Sequence, residues 1–153
     1  MILVRDALLS DLDTLVDFNL RLAQETEAKA LHRDTISQGV RTALDHPDRL
    51  RYWVAVSAET RQVIGQAAVT REWSDWRNGW IWWFQSVYVP PESRAQSVFR
   101  TLHSHIRAAA LAEPDVVGLR LYVEQANLRA QKTYQSLGLS HAGYQVHEEI
   151  WPL

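Results

Sequence analysis

Apolar residues along the chain follow two spacings, which separate predicted helices from predicted strands. Spacing by three and four residues, the repeat of an amphipathic helix, covers residues 12–23, 35–44, 98–112 and 127–137. Alternating or short continuous apolar runs, typical of strands, cover residues 2–5, 52–56, 63–70, 81–89, 116–124 and 143–150. Residues 72–80 are polar and rich in tryptophan, and we expect a connection there that turns at Asn78-Gly79. The predicted order is β-α-α-β-β-β-α-β-α-β.

This order predicts a mixed α/β (α+β) fold. Strands that follow one another directly form antiparallel hairpins, whereas strands separated by a helix can run parallel. The sheet should therefore be mixed. No Pro/Gly/Ser-rich linker, repeat or low-complexity run interrupts the 153 residues, so a single domain spanning 1–153 is expected.

Composition excludes several classes of protein. Sixteen Lys and Arg residues against eighteen Asp and Glu residues give a net charge of −2, so we expect no nucleic-acid partner. The chain has no cysteine, which removes disulfides, thiolate metal sites and a cysteine nucleophile. No apolar run is long enough for a membrane span, and the N-terminal segment does not resemble a secretory leader. We expect a cytoplasmic protein without membrane contact.

The candidate chemistry begins where the strand over residues 81–89 meets Pro90-Pro91 and a helix follows. A helix N-terminus presents unpaired N–H groups and the positive end of the helix dipole, which suit a phosphate. Arg94 and Arg100 flank this point. An ordinary loop with solvated arginines is the alternative.

A second motif lies further along the chain. Asn127, Ala130 and Tyr134 are spaced by three and four residues, so they share one face of a helix that stops at Gly138. Asn127 is equally suited to cap that helix, and Tyr134 to pack in the core.

Together the two motifs resemble those of the GNAT superfamily of N-acetyltransferases, over nearly the whole chain. That family has a basic, glycine-containing pyrophosphate loop after its fourth strand and an Asn-x-x-Ala-x-x-x-Tyr helix followed by Gly and an aliphatic residue. The segment EWSDWRNG further resembles a bacterial subgroup. The resemblance implies a three-layer fold, with a mostly antiparallel twisted sheet of six to seven strands flanked by about four helices.

The resemblance also implies a function and a set of site residues. The function is transfer of an acetyl group from acetyl-CoA directly to a primary amine of a small molecule or peptide, without a metal. Tyr134 is the expected acid for the leaving thiolate. The residues expected to bind the coenzyme are Val87, Tyr88, Val89, Arg94, Ala95, Gln96, Ser97, Val98, Phe99, Arg100, Asn127 and Ala130.

The pyrophosphate loop departs from the family pattern, because Ser97 and Phe99 stand where the family has small residues, usually glycine. Glycine lets the backbone approach a diphosphate closely. A domain that binds acyl-CoA without catalysis therefore remains an alternative.

On the acceptor side, Glu25 is the candidate base, because this fold opens its acceptor groove near the end of the first helix. Glu27, Trp73, Asp75 and Trp83 are candidate acceptor contacts, provided that the tryptophan-rich segment folds over the sheet. The tryptophans are equally suited to core packing or to a homodimer interface. The six histidines show no spacing typical of metal ligands.

Overall fold

The computed structural model describes residues 1–152 as a sheet with helices on both faces. The strands are β1 (Ile2–Asp6), β2 (Arg51–Ser57), β3 (Val63–Ser74), β4 (Gly79–Tyr88) and β5 (Val116–Leu121). The helices are α1 (Leu12–Glu27), α2 (Arg33–Asp45), α3 (Val98–Ala112) and α4 (Leu128–Ser136).

The sheet is mixed, as expected, and its strands lie in the order β1-β2-β3-β4-β5. The first four strands are antiparallel to their neighbours, whereas β5 is parallel to β4 because α3 carries the chain back across the sheet. This gives β5 one paired edge and one free edge.

Each face of the sheet has its own core. On one face Leu102 and Ile106 of α3 pack against Trp53 and Trp82, and all four side chains are at most 5% exposed. On the other face Leu15 of α1 and residues of α2 pack against β2. The alternation of side chains along each strand thus supplies two cores, which confirms the expected three layers.

The structure has five strands among residues 1–152 instead of the expected six or seven. The predicted strand over residues 143–150 pairs with no neighbour and its apolar side chains are exposed, so the strand-like pattern is present without a partner strand. In addition, β5 ends at Leu121 and not at residue 124.

The tryptophan-rich connection expected over residues 72–80 is largely strand. β3 continues to Ser74 and β4 starts at Gly79, so only four residues turn the chain. Cross-strand pairing of Trp73 with Trp80, whose ring centroids lie 5.0 Å apart, stabilises this long hairpin. Asn78 adopts a positive φ of 49°, in agreement with the predicted turn.

Candidate active site

A β-bulge lies near the end of β4. Gln66 of β3 pairs with Tyr88 and Ala68 pairs with Gln85, so β4 carries one extra residue over this interval. Ser86 lies in the bulge with φ 51°, and its carbonyl oxygen accepts a hydrogen bond of 2.9 Å from Nε2 of Gln66. The bulge redirects the last residues of β4.

Beyond the bulge, β4 and β5 no longer pair. Their parallel ladder ends at Phe84 and Leu121, and residues 85–89 have no strand opposite them on that side. The side chains of Val87 and Val89 pack toward α3, whereas Tyr88 is buried against Phe18 of α1. The backbone of residues 85–89 is therefore open on that side to an extended ligand that enters between the two strands.

The loop after β4 leads into a series of unpaired backbone amides at the start of α3. Among residues 1–152, the amides of residues 95–100 donate no hydrogen bond to a protein acceptor, while the next amide, that of Thr101, donates to the oxygen of Ser97 at 3.0 Å. Ala95 and Ser97 have φ values of 64° and 62°. Alternation of left- and right-handed residues turns successive N–H groups toward one point, which forms an anion-binding concavity. We call residues 95–100 the amide cradle.

The two unusual residues of this loop occupy different environments. Ser97 adopts the left-handed conformation that favours glycine, and its side chain makes no capping hydrogen bond. Phe99 lies within α3 and its ring contacts the rings of Phe84, His103 and Tyr134, with centroids 6.3, 6.1 and 5.6 Å away. Of these two side chains, that of Phe99 packs between β4 and α4, and only that of Ser97 borders the cradle.

Glu25, at the end of α1, fastens this helix to the cradle loop. Its Oε1 accepts a 3.0 Å hydrogen bond from the hydroxyl of Tyr88, and its Oε2 accepts one of 2.8 Å from Arg94. Arg94 also donates from Nε to the oxygen of Val89 at 2.9 Å. Arg94 therefore has a structural partner, which was not expected. Burial, and secondarily the nearby Glu25 carboxylate, raises the pKa of the Tyr88 phenol.

The helix that carries the second motif rests against α3. The Oδ1 atom of Asn127 accepts a 3.1 Å hydrogen bond from the amide of Ala130, so Asn127 caps α4. Burial raises the pKa of the Tyr134 phenol, which faces Phe99. Arg100 reaches across from α3 to Oγ of Ser136 at 3.4 Å. Tyr134 is thus held on the side of the cradle that α4 covers.

Comparison with known proteins agrees with this geometry. The profile of the acetyltransferase (GNAT) family matches residues 13–139. The chain belongs to the GNAT family. A possible acetyltransferase from Clostridium difficile 630 is 38% identical over 100% of this chain and 99% of its own, with a TM-score of 0.89. No curated protein matches by sequence.

More distant GNAT-like structures share the fold. A predicted acetyltransferase from Clostridium acetobutylicum, solved with acetyl-CoA, has 17% identity and a TM-score of 0.78, covering 97% of this chain and 96% of its own. The structure of AAC(6')-Iy with a bisubstrate analogue of coenzyme A has 15% identity and the same TM-score, covering 99% of each chain. At these identities the likeness concerns the fold alone.

The acceptor side of this GNAT domain differs from expectation. Trp73 and Asp75 lie at the hairpin end of β4, roughly 26 Å from Tyr88 at about 3.3 Å per residue. The segment extends the sheet and does not fold over it, so the structure does not bring these two residues to the cradle. Trp83 lies on the face that α1 covers and packs on Tyr122 at 4.5 Å, and Glu27 forms an exposed ion pair with Lys29 at 3.7 Å.

Sequence reasoning missed a polar network beneath the bulge. Asn19 of α1 donates to the hydroxyl of Tyr52 at 3.3 Å, and burial raises the pKa of that phenol. Gln66 is fully buried beside them. The sequence signals this network only by the polar residues at inward-facing positions of α1 and β3. Such residues do not identify their hydrogen-bond partners.

Residues 1–152 contain neither a metal-binding cluster nor a membrane-spanning helix. No group of three or more His, Asp or Glu side chains is arranged to hold a metal ion. No helix in this part of the chain has the length and hydropathy to cross a bilayer.

Proposed function

We propose that the chain transfers an acetyl group from acetyl-CoA to the primary amine of a small molecule or peptide, by direct transfer and without a metal. The amide cradle carries this proposal. Six successive N–H groups without protein acceptors in the described chain match the oxygens of a diphosphate, which supplies the charge that a helix N-terminus favours. Without such a ligand, these six donors would hydrogen-bond to water alone.

The fit of acetyl-CoA follows the path of β4. The amides of residues 95–100 bind the diphosphate, and backbone groups of Val87 and Val89 bind the pantetheine arm in the gap left by β5. Asn127 and Ala130 fix the start of α4 beside this path. Arg100 lies in the cradle itself, and its guanidinium makes only one long side-chain contact, with Ser136. The position of Phe99 against α3 and α4 leaves the diphosphate side open.

The chemistry requires one group to take a proton and another to give one. An amine with an ordinary pKa near 10 is protonated at neutral pH and must lose a proton before it attacks. Glu25 accepts that proton directly or through water, since its partly exposed carboxylate keeps free lone pairs beside its two hydrogen bonds. Tyr134 stays protonated because burial raises its pKa, and it donates its proton to the departing thiolate. A C–N bond replaces the C–S bond.

The acceptor pocket is proposed on the face of the sheet that α1 covers. The protein is proposed to act in the cytoplasm, with neither nucleic acid nor membrane as a partner. Trp83, with Tyr122 against its ring, gives a wall that suits a cationic amine through cation–π attraction. Glu27 at the end of α1 adds a carboxylate near the entrance.

A domain that binds acyl-CoA without catalysis is the second candidate. The observation that favours it is the engagement of Glu25 by Arg94 and Tyr88, which competes with a role as base. Release of free thiol from acetyl-CoA, measured with a panel of amines, distinguishes the two candidates when calorimetry is done on the same protein. Binding with turnover supports the enzyme, binding without turnover supports the second candidate, and no binding contradicts both.

Two variants test the roles of the side chains. Tyr134→Phe should lower kcat at least tenfold while the Kd for acetyl-CoA stays within about threefold, because the substitution removes only the hydroxyl that donates the proton. Glu25→Gln should lower kcat/KM for the amine at least tenfold because the amine loses its proton acceptor, and Asp17→Asn on the same helix is the control that should stay within about threefold. An unchanged kcat/KM in Glu25→Gln would show that Glu25 only positions the loop.

A further inference from the structure

A cavity of about 460 Å³ lies on the α3 face of the sheet, beyond the last turn of α3. Its floor consists of Trp53, Val69 and Trp82, which lie on β2, β3 and β4 and also belong to the core under α3. The helix ends at Ala112 and leaves this part of the sheet uncovered. The start of α3, which bears the amide cradle, is roughly 22 Å away at about 1.5 Å per residue. The cavity is therefore separate from the proposed acetyl-CoA site.

The floor of the cavity contains two hydrogen-bond donors without acceptors. The side chains of Trp53 and Trp82 are 0% and 5% exposed, and within residues 1–152 the Nε1 atom of neither indole has a hydrogen-bond partner. Buried polar groups of folded proteins nearly always have a partner, because a donor that loses water without gaining an acceptor is destabilising. Both indoles line the same cavity, so an acceptor on a molecule bound there would be the partner that they lack.

The two cations beside the floor differ in whether they have a partner. Arg51 lies over the ring of Trp53 and donates to the carboxylate oxygens of Asp6 at 2.7 and 3.2 Å. Arg71 lies 4.9 Å from the centre of the Trp80 ring, and in the described chain it has no carboxylate partner. A guanidinium stacked on a ring still presents its N–H groups, whose geometry matches a carboxylate. The inner side of the cavity thus offers a carboxylate one unpaired cation and two indole N–H groups.

The rim of the cavity has the opposite charge. Asp48, Glu113 and Asp115 are exposed, and within residues 1–152 none of their carboxylates forms an ion pair. The carbonyl groups in the last turn of α3 add the negative end of the helix dipole beside Glu113. This rim would repel a simple anion, and a simple cation would leave the indole donors without an acceptor. A molecule that carries both charges satisfies both parts of the cavity.

We propose that this cavity binds a small zwitterion with an apolar body, which is the chemistry of a free apolar α-amino acid. Its carboxylate accepts hydrogen bonds from the two indoles and from Arg71, its ammonium group lies at the acidic rim, and its apolar body covers Val69. The volume of the cavity is in the range of small-molecule sites, and an aromatic and aliphatic lining with a few polar groups is typical of them. The site goes beyond the acetyl transfer proposed above and does not depend on it.

Nuclear magnetic resonance of the tryptophan indole groups tests the site directly, with signals assigned by triple-resonance spectra and without acetyl-CoA. L-Phenylalanine and L-leucine should each move the indole proton signals of Trp53 and Trp82 downfield in a saturable way, because these N–H groups gain an acceptor. No shift of either signal with both amino acids up to about 10 mM would overturn the proposal. A shift confined to the indole of Trp83, in the wall proposed for the acceptor amine, would overturn it as well.

Two fragments of phenylalanine separate the two charges. 3-Phenylpropionate keeps the ring and the carboxylate, whereas phenethylamine keeps the ring and the ammonium group. Each fragment should bind at least about tenfold more weakly than L-phenylalanine, because each satisfies only one part of the cavity. A fragment that binds as tightly as L-phenylalanine would show that the second charge is not recognised, which overturns the zwitterion.

Charge variants identify the side chains that bind each end. Arg71→Gln should raise the Kd for L-phenylalanine at least about tenfold, whereas Arg77→Gln, in the turn of the same hairpin and outside the cavity, should leave it within about twofold. Asp115→Asn should weaken binding of L-phenylalanine and strengthen binding of 3-phenylpropionate, since it removes attraction for an ammonium group and repulsion of a carboxylate. All three side chains are exposed, so the variants should fold, which the other indole signals check. An unchanged Kd in Arg71→Gln, or changes in the same direction for both compounds in Asp115→Asn, would overturn the assignment.

Discussion

Replacement of Ser97 by glycine tests whether the amide cradle is already formed before coenzyme binds. Ser97 has φ 62°, in the left-handed region, where a residue with a Cβ is strained by about 1–2 kcal/mol. Glycine relieves this strain, but its freedom in the unfolded chain offsets about 0.4–1 kcal/mol of the gain. The free energy of unfolding should therefore rise by roughly 0.5–1 kcal/mol in Ser97→Gly.

Thermal unfolding followed by circular dichroism measures this change. A gain of that size in a chain of this length raises Tm by about 1–4 °C. The matched control is Ser104→Gly, in the exposed middle of α3, where the same substitution should cost about 0.5 kcal/mol because glycine is a poor helix former. The two variants should thus shift Tm in opposite directions.

Calorimetry with acetyl-CoA gives the second reading. Since the backbone at residue 97 has its left-handed conformation without ligand, relief of strain is equal in the free and bound states and the Kd should stay within about threefold. A fall in Tm equal to that of the control would refute the strain argument. Binding at least tenfold tighter in Ser97→Gly would show that the serine side chain obstructs the cradle.

Three further predictions concern stability. Asp11→Ala should cost about 1–3 kcal/mol, because the Asp11 carboxylate accepts hydrogen bonds from Arg5 and from the Leu8 amide at 2.7 Å each; denaturant titration measures it. Gly65→Ala should cost about 1–3 kcal/mol and weaken coenzyme binding, because a Cβ there would lie 2.7 Å from Val98 at the start of α3; urea titration and calorimetry measure the two effects. His103→Leu should flatten the loss of stability between pH 7 and 5, measured by thermal unfolding, while His105→Leu should not.

The sign of the two pH effects follows from the native pKa values. Burial, followed by the charges of Arg107 and Arg100, lowers the pKa of His103. The stability that the neutral imidazole contributes is therefore fully present above the pKa of the unfolded chain, about 6.5, and is lost as pH falls through the lower native pKa. Burial of Asp11 acts to raise its pKa, but the hydrogen bonds from Arg5 and Leu8 lower it overall. Its contribution is present above about pH 4 and is lost as pH falls further.

Periodicity located most of the fold because α1, α2 and α3 each bury one face and β2, β3 and β4 are rich in buried residues. It predicted α3 with the bounds that the structure has, since Pro114 and the apolar repeat limit that helix. It failed at residues 72–74, where the strand is half-exposed and polar, and only the pairing of Trp73 with Trp80 reveals a hairpin. A pattern of single residues does not contain the identity of a cross-strand neighbour.

The candidate site divides in the same way. The position of the amide cradle follows from the local order of strand, loop and helix, which a motif contains. The contact of Arg94 with Glu25 joins residues 69 positions apart, and neither residue type specifies the other. A loop arginine was therefore expected to face a phosphate, whereas the folded chain pairs it with a carboxylate.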